Sequence, residues 1–204
     1  MDISHVPAYE PLEEKKVGER IYKTSIEGLF YISTTVFPDE RGSYREVSII
    51  PDLQGVLPFE FIIKQINHSR SNKNVLRGIH AESWNKLITV TSGMCLCVYT
   101  DLRPDSNTFL QKEYVFLGPE EQALPGSVFV TQGIGNSFLV LNGPSDYIYA
   151  VDALYRERDK SGDFAISAYD PDLSIVWPIE KDQVIISERD KNSISIREKF
   201  PDKF

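Results

Sequence analysis

The sequence has few of the residues that usually bind metals and no long apolar run. Among 204 residues it has only three histidines and two cysteines. No apolar run approaches the ~18–20 residues that cross a bilayer, and the N-terminal "MDISHVPAYEPLEEKK" lacks the basic and apolar regions of a secretory signal. Acidic residues outnumber basic ones, and the net charge of −8 argues against a general nucleic-acid binder. We therefore expect a cytoplasmic protein with no membrane or nucleic-acid partner.

Short apolar segments separated by Gly, Pro or Asn dominate the chain from residue 21 onward. Many short strands at such spacing are typical of a β-sandwich or barrel. We therefore predict one all-β domain over 21–204, preceded by a poorly packed N-terminal arm over 1–20. Short helices are expected only around 50–56 and 186–191. The predicted strand segments are "FYISTTVF", "FEFIIKQINHS", "NVLRGIH", "KLITVT", "MCLCVYTDL", "EYVFL", "SVFVTQ", "NSFLVL" and "DYIYAVDALY", with a turn at Ser92–Gly93.

Both cysteines lie in the segment "MCLCVY", which is apolar at every position. On a strand, Cys95 and Cys97 share a face, with Cα atoms ~6.5 Å or more apart. That separation is near the limit for a disulfide, and two thiols alone are too few ligands for zinc. We expect reduced packing residues on a strand that is covered on both faces, which favours an oligomer.

In the segment "FEFIIKQINHS", the side chains on one face change from apolar to polar. Its odd positions run from Phe59, Phe61 and Ile63 to Gln65 and Asn67. If the apolar side chains point into a barrel, so do the two amides, because alternate residues of a strand share a face. Inward polar groups need partners, and a ligand cavity at the barrel mouth supplies them. The alternative is that the strand emerges into solvent at this point.

The segment "NVLRGIH" places an arginine and a histidine three residues apart in an apolar run. From 64 to 86 the chain has five basic residues against one acidic residue, an arrangement that suits a small anionic ligand. A solvated strand face or loop is the alternative. On a regular strand Arg77 and His80 would face opposite sides. We therefore expect a local irregularity at Gly78 that turns both side chains toward the barrel interior.

Metal and nucleotide-binding motifs are missing from the sequence. His80 and Glu82 form a His-x-Glu pair, but no third well-placed ligand accompanies them, so no metal is expected. The Walker A, Rossmann and nucleophile-elbow patterns are absent. Histidine can act alone as a general base near neutral pH, provided that a partner, usually a buried carboxylate, holds its ring.

Six separated segments together resemble the dTDP-4-dehydrorhamnose 3,5-epimerases in their order and approximate spacing. The resemblance runs from about residue 30 to 190. It implies a double-stranded β-helix (a cupin-type jelly roll) that forms a homodimer. It also implies inversion of C3, C5 or both in a nucleotide-diphosphate-linked 4-keto-6-deoxyhexose, without metal or cofactor. The segments are "DERGSYRE", "KQINHSRSNKNVLRGIH", "KLITVTSG", "TDLRPDS", "YIYAVDALY" and "YDPDLSIVWP".

The resemblance also implies the catalytic groups. His80, in the R-G-x-H motif, corresponds to the general base, and Asp170, in "YDPDLSIVWP", to its carboxylate partner. Lys86 corresponds to a lysine near the enolate oxygen. Tyr149 corresponds to the acid that returns the proton, with Tyr155 as its partner in the Y-x5-Y segment. A neutral phenol is the usual state of tyrosine near pH 7, which suits a proton donor.

The substrate-binding groups follow from the same resemblance. Arginines suit a diphosphate because their planar fork of donors matches phosphate oxygens. In the family, the D-x-R-G-x-[FY]-x-E segment can reach the pocket of the neighbouring subunit. The implied binding residues are Arg41 and Arg77 for the diphosphate, Gln65, Asn67 and Glu46 for the pocket, and Arg41, Tyr44 and Glu46 across the dimer.

Two positions near the expected pocket depart from the family pattern. Glu82 stands near where glutamine is common, in a shortened loop that carries Trp84. Asn136 replaces the histidine of the usual A-H-G-F segment. These departures leave open which carbons are inverted and which sugar nucleotide is bound. Two other functions also stay open, a sugar-nucleotide 3,4-ketoisomerase and a sugar-nucleotide binding module without turnover.

Overall fold

The computed structural model describes residues 2–204, and its chain is mostly β-strand. The helices are single turns: α1 (Ile50–Gln54), α2 (Glu188–Lys191) and α3 (Ile196–Lys199), with 3₁₀ turns at Glu13–Lys15, Lys181–Gln183 and Pro201–Lys203. The strands are β1 (Ile21–Lys23), β2 (Leu29–Ile32), β3 (Val36–Asp39), β4 (Gly42–Arg45), β5 (Gln65–Ser71), β6 (Val75–Ala81), β7 (Lys86–Asp101), β8 (Lys112–Leu117), β9 (Ser127–Val130), β10 (Ile134–Val151), β11 (Phe164–Ile166) and β12 (Ile185–Ile186).

Two long antiparallel strands, β7 and β10, form the spine of the sheet and pair along nearly their whole length. Toward one end, β8 flanks β7 and β6 flanks β10, and toward the other end β9 and β5 take those places. The pairing of β7 with β10 shifts register around Asn142 and Asp146. Each long strand therefore contributes to both halves of the sheet, which is the arrangement of a double-stranded β-helix. The jelly-roll fold predicted from the sequence is confirmed.

The core lies between the two halves of the sheet. Phe138 and Tyr147, which belong to opposite ends of β10, stack with ring centroids 4.1 Å apart. Both belong to a cluster of buried side chains that draws on both halves of β7 and β10. Cys95 and Cys97 lie in this cluster as free, buried thiols, and burial raises the pKa of Cys95 to about 12. The expectation of reduced packing cysteines is confirmed.

Several strand boundaries differ from the sequence prediction. "FYISTTVF" is divided between β2 and β3. The expected turn at Ser92–Gly93 lies inside the continuous strand β7, where Gly93 has a φ of 71°. The segment 59–64 is not a strand: Phe61 is buried, but Ile63 is 37% exposed and does not point into a barrel. The polar face therefore begins with β5 itself. The two predicted helices are present as α1 and α2.

The N-terminal segment over 2–20 is better packed than expected. Tyr9 is only 9% exposed and sits edge-on to Tyr31, with ring centroids 5.8 Å apart. Its backbone N–H donates to the carbonyl of Tyr114 on β8, and Val6 is buried in a second apolar cluster. These side chains extend the apolar core beyond the domain boundary at residue 21. Among residues 2–204, no helix is both long and apolar enough to cross a membrane.

Removing the Tyr9 side chain tests whether this segment belongs to the folded domain. We expect Tyr9→Ala to lower the free energy of unfolding by about 3 kcal/mol, because it empties a buried aromatic site. Leu12→Ala is the matched control, since Leu12 is 44% exposed in the same segment, and it should stay within about 0.5 kcal/mol. Urea unfolding of the three proteins measures both values. Equal stabilities would mean that the segment does not contribute to the core.

Candidate active site

A β-bulge in β6 brings the histidine of this strand into the site. His80 lies opposite Asn136 of β10, and Arg77 lies opposite Phe138. Three steps on β6 thus match two steps on β10, so β6 contains one extra residue between Arg77 and His80. An extra residue resets the alternation of side chains. The irregularity predicted at Gly78 is confirmed. His80 is half-buried, as expected, whereas the side chain of Arg77 stays exposed.

The bulge creates a binding position for a remote carboxylate. Asp190 Oδ2 accepts a hydrogen bond from the backbone N–H of Gly78 at 3.1 Å, and Asp190 Oδ1 lies 2.8 Å from His80 Nε2. A Cβ atom at Gly78 would stand 3.2 Å from both Cβ and Cγ of Asp190, so glycine permits the close approach. Asp190 itself is held at the first turn of α2, where its N–H donates to the N-cap hydroxyl of Ser187.

The negative charge of Asp190 decides which nitrogen of the His80 ring carries a hydrogen. Burial alone would raise the pKa of Asp190, but the hydrogen bonds from His80 and the Gly78 N–H outweigh it and lower the pKa to about 2. Asp190 is therefore a carboxylate at neutral pH and can only accept. His80 Nε2 must then carry a hydrogen, which leaves Nδ1 as the free acceptor.

The expectation that Asp170 pairs with His80 is wrong. Asp170 is buried, but its Oδ1 accepts from the N–H of Asp172 at 2.9 Å and its Oδ2 from the N–H of Ile196 at 2.8 Å. It closes a turn and anchors the start of α3. Asp190 takes the place beside His80. The "SERD" segment signals a helix start through its N-cap serine, but no local pattern connects it to a histidine 110 residues away.

Polar side chains of β5, β7 and β10 line a common face. Tyr149 of β10 lies opposite Asn67 of β5 and Ile88 of β7, and Gln65 and Lys86 both lie opposite Val151. Directly opposed residues of antiparallel strands share a face. Gln65 donates to Asn67 Oδ1 at 2.6 Å, while Asn67 Nδ2 is buried with no hydrogen-bond partner in the part of the chain described. An unpaired buried donor of this kind is suited to a ligand.

The tyrosine face and the histidine belong to one site. Tyr147 donates through its hydroxyl to Asn136 Oδ1 at 3.0 Å, and Asn136 is the residue opposite His80. The pKa of the Tyr149 phenol is raised, chiefly by burial and next by the nearby carboxylate of Glu82, with Arg77 opposing. Tyr149 therefore keeps its proton at neutral pH.

Lys86 is a buried ammonium in the same site. It is 3% exposed, and its Nζ lies 2.6 Å from Glu82 Oε2. Burial tends to raise the pKa of Glu82, but Lys86 and then His80 outweigh burial and lower it. Glu82 is therefore ionised at neutral pH and supplies the counter-charge for the buried Lys86 side chain.

Arg77 and Tyr155 lie nearer to the solvent. The guanidinium of Arg77 donates to the hydroxyl of Ser71 through Nε at 3.2 Å and Nη2 at 3.1 Å, which leaves other donors free. The backbone N–H of Tyr155 donates to Gln65 Oε1 at 2.9 Å, and its 54% exposed ring lies beside Trp84. Both side chains are exposed to solvent.

Arg41, Tyr44 and Glu46 are not brought to His80 within the single chain. Arg41 caps the β3–β4 hairpin and pairs with Asp39, while Glu46 pairs with Arg20 at 2.9 Å. Tyr44 is 65% exposed on the same hairpin. The expectation that these three residues serve a neighbouring subunit therefore stays a prediction. Within residues 2–204, no group of three His, Cys, Asp or Glu side chains is placed to hold a metal ion.

Proton removal and proton return are the chemistry that a fixed imidazole, a buried ammonium and a protonated phenol support together. The fold and the site thus define a cupin-type isomerase. Comparison with known proteins identifies the family. A family model described as dTDP-4-dehydrorhamnose 3,5-epimerase matches residues 23–198. This chain belongs to the dTDP-4-dehydrorhamnose 3,5-epimerase family.

Individual relatives agree over most of the chain. A dTDP-4-dehydrorhamnose 3,5-epimerase of Methanothermobacter thermautotrophicus is 35% identical, over 88% of this chain and 95% of that protein. The crystal structure of a dTDP-6-deoxy-D-glucose-3,5-epimerase of Legionella pneumophila, in complex with dTDP-4-keto-L-rhamnose, gives a TM-score of 0.75 at 31% identity, covering 87% of this chain and 92% of that chain. A dTDP-4-dehydro-6-deoxyglucose 3-epimerase of a Streptomyces species is 30% identical, over 85% of this chain and 87% of that protein.

Substituting Asp190 and Asp170 one at a time tests which of them supports His80. We expect Asp190→Asn to lower kcat for sugar epimerisation by about a hundredfold or more, because an amide cannot stabilise the imidazolium that a base becomes. Asp170→Asn should instead lower the free energy of unfolding by about 1–3 kcal/mol, because one backbone N–H loses its acceptor, with kcat kept. Kinetics and urea unfolding of both variants measure the difference. The reverse pattern would restore Asp170 as the partner of His80.

Proposed function

We propose that this protein inverts C3, C5 or both of a dTDP-linked 4-keto-6-deoxyhexose, without metal or organic cofactor. The observation that carries the proposal is the contact of His80 with the ionised carboxylate of Asp190. It leaves one ring nitrogen free as a base in a site that also contains a buried ammonium and a protonated phenol. The names of the relatives, all epimerases of dTDP-4-dehydro sugars, support the substrate class.

The proposed reaction is a proton exchange with no net oxidation. His80 Nδ1 removes the proton from the carbon beside the C4 ketone, and the bonding electrons move onto the ketone oxygen as an enolate. The Lys86 ammonium stabilises that oxygen. Tyr149 then donates its phenolic proton to the carbon from the opposite face, which inverts the centre. The phenolate regains a proton from solvent, and the imidazolium of His80 releases one.

The remaining polar residues of the site are proposed to bind the substrate. Arg77 has free guanidinium donors beside Ser71, which suit a diphosphate. Gln65 and Asn67 form an amide pair with one unused buried donor, which suits sugar hydroxyls. Tyr155 supplies an exposed ring at the entrance for the nucleoside.

We further propose that the active form is a homodimer. The β3–β4 hairpin presents Phe37 and Tyr44 as 53% and 65% exposed side chains, which is unusual for aromatic residues without a partner surface. Across a two-fold axis, Arg41, Tyr44 and Glu46 would complete the neighbouring site. The two free thiols are compatible with a reducing compartment, and we propose the cytoplasm.

Incubation with dTDP-4-keto-6-deoxyglucose in D₂O, followed by proton NMR, tests the reaction. We expect deuterium at C3, C5 or both. His80→Asn should slow this exchange by about 10²–10⁴-fold, because the general base is lost. Tyr149→Phe should impair product formation more than the first exchange, because only the later protonation needs the phenol.

Other outcomes of the same experiment identify the alternatives. A product with its carbonyl moved to the neighbouring carbon would indicate a ketoisomerase. Tight binding without exchange would indicate a binding module. Unchanged exchange in the His80→Asn protein would contradict the assignment of the base.

Mixing inactive variants tests the shared site. Arg41→Ala and His80→Asn each remove a different part of the site. In a heterodimer of the two variants, one site combines the native His80 of one chain with the native Arg41 of the other. Half of the dimers in an equal mixture would therefore have one intact site. We expect the mixture to regain about a quarter of the wild-type activity, because a two-fold dimer has two equivalent sites. Each variant alone should stay nearly inactive. If mixing restores nothing although heterodimers are detected by mass spectrometry, Arg41 acts within its own chain or not at all.

A further inference from the structure

Glu82 is the residue through which the site is connected to a distant segment of the chain. Its Oε2 lies 2.6 Å from Lys86 Nζ and accepts from Trp84 Nε1 at 3.3 Å. Its Oε1 faces Arg158 Nη2 at 3.4 Å. Within residues 2–204, Lys86 Nζ has no other polar partner at hydrogen-bonding distance, so Glu82 alone holds the ammonium.

Arg158 extends these contacts to the segment 155–163. Its guanidinium makes a two-point contact with Asp163, at 2.6 Å to Oδ1 and 2.5 Å to Oδ2, and lies 4.0 Å above the Trp84 ring. Asp163 also accepts from the N–H of Ser83. Lys86, Glu82, Arg158 and Asp163 thus form a row of alternating charges, which we call the charge row.

The two cationic side chains of the charge row are more deeply buried than Glu82. The side chains of Lys86 and Arg158 are each 4% exposed, whereas that of Glu82 is 22% exposed. A buried ammonium is costly unless a counter-charge with good geometry accompanies it. Two cations balance two carboxylates here, so neutralising Glu82 would leave one uncompensated positive charge inside the protein.

Glu82 lies close to the candidate catalytic residues His80 and Tyr149. It follows His80 by two residues, and its charge contributes to the raised pKa of the Tyr149 phenol, after burial. Its own pKa is lowered by Lys86 and His80 against the effect of burial, so it stays ionised and cannot serve as a proton donor. Its two oxygens are occupied by Lys86, Trp84 and Arg158, so its contacts support a role in placing these neighbours.

We propose that Glu82 is a positioning residue, which holds the Lys86 ammonium where the enolate oxygen forms and, through Arg158, fastens the segment 155–163 over Trp84. This inference rests on the proposed epimerase function. The segment contributes Tyr155, whose ring lies 6.2 Å from that of Trp84 and whose N–H binds Gln65. Glu82 thereby couples the catalytic ammonium to the wall of the substrate pocket.

Neutralising Glu82 tests the first half of the proposal. We expect Glu82→Gln to lower kcat for deuterium exchange by about 10–100-fold, because a displaced ammonium stabilises the enolate poorly. KM should rise by no more than about threefold, because Asp163 still holds Arg158. Glu82→Asp keeps the charge with a shorter reach and should recover part of kcat. Asp146→Asn is the matched control, since it removes a carboxylate that pairs with Arg70 and His68 away from the site, and it should keep wild-type kcat.

A double-mutant cycle tells a positioning role from a merely structural one. If Glu82 acts through Lys86, adding Glu82→Gln to Lys86→Met should change kcat by less than about twofold. Independent effects that multiply in the double variant would overturn the proposal, and so would a Glu82→Gln enzyme with wild-type kcat. Thermal unfolding of each variant confirms that the comparison is made between folded proteins.

Asp163→Asn tests the second half. It loosens Arg158 but leaves the contact of Glu82 with Lys86 in place, so we expect KM to rise about threefold to tenfold with kcat nearly kept. A loss of kcat with unchanged KM would contradict the fastening role. Absence of exchange in the wild-type enzyme would instead overturn the proposed function itself, so the two failures are distinguishable.

Discussion

The site depends on one hydrogen-bonded arrangement, in which Asp190 binds both the imidazole of His80 and the backbone N–H of Gly78. The bulge in β6 frees that N–H from the strand ladder, and the missing side chain at Gly78 lets the carboxylate approach. In return the carboxylate satisfies a backbone donor that would otherwise be lost. The irregularity of the strand and the orientation of the His80 imidazole therefore have the same cause.

Burial of charge is the second constraint. Lys86 and Arg158 are nearly inaccessible, and each is accompanied by a carboxylate within the charge row. In such surroundings electrostatic interactions are strong, so a fixed ammonium can stabilise an enolate without the reorganisation that water would need. The same condition makes the row sensitive to the loss of a single charge, because an unpaired buried ion is costly.

The jelly roll explains how remote segments meet at the site. β7 and β10 pass through both halves of the sheet. One pair of strands therefore carries Lys86 and Tyr149 near one end and Asn136 near the other. His80 reaches the site from β6, which pairs with the first half of β10, and Gln65 and Asn67 reach it from β5, which pairs with the second half. The short helix α2 packs against the bulge and places Asp190 beside His80.

Much of the fold was predictable from local pattern. Alternation and turn residues predicted the β class, the bulge at Gly78, the two short helices and the buried thiols, because these depend on neighbours in the chain. The strand "FEFIIKQINHS" was predicted too long, since its apolar first half packs through Phe61 without joining the sheet. The N-terminal segment was predicted to pack poorly, but Val6 and Tyr9 are buried against the rest of the chain.

By itself, the sequence determined which residue types are available for chemistry and on which strands most of them lie. His80, Lys86 and Tyr149 were identified from motifs shared with the epimerase family. Only the tertiary structure decided which carboxylate serves the histidine, because Asp170 and Asp190 both follow ordinary turn or helix-start patterns. The choice depends on where α2 and α3 pack against β6 and β11, and such long-range packing leaves no periodic trace in the chain.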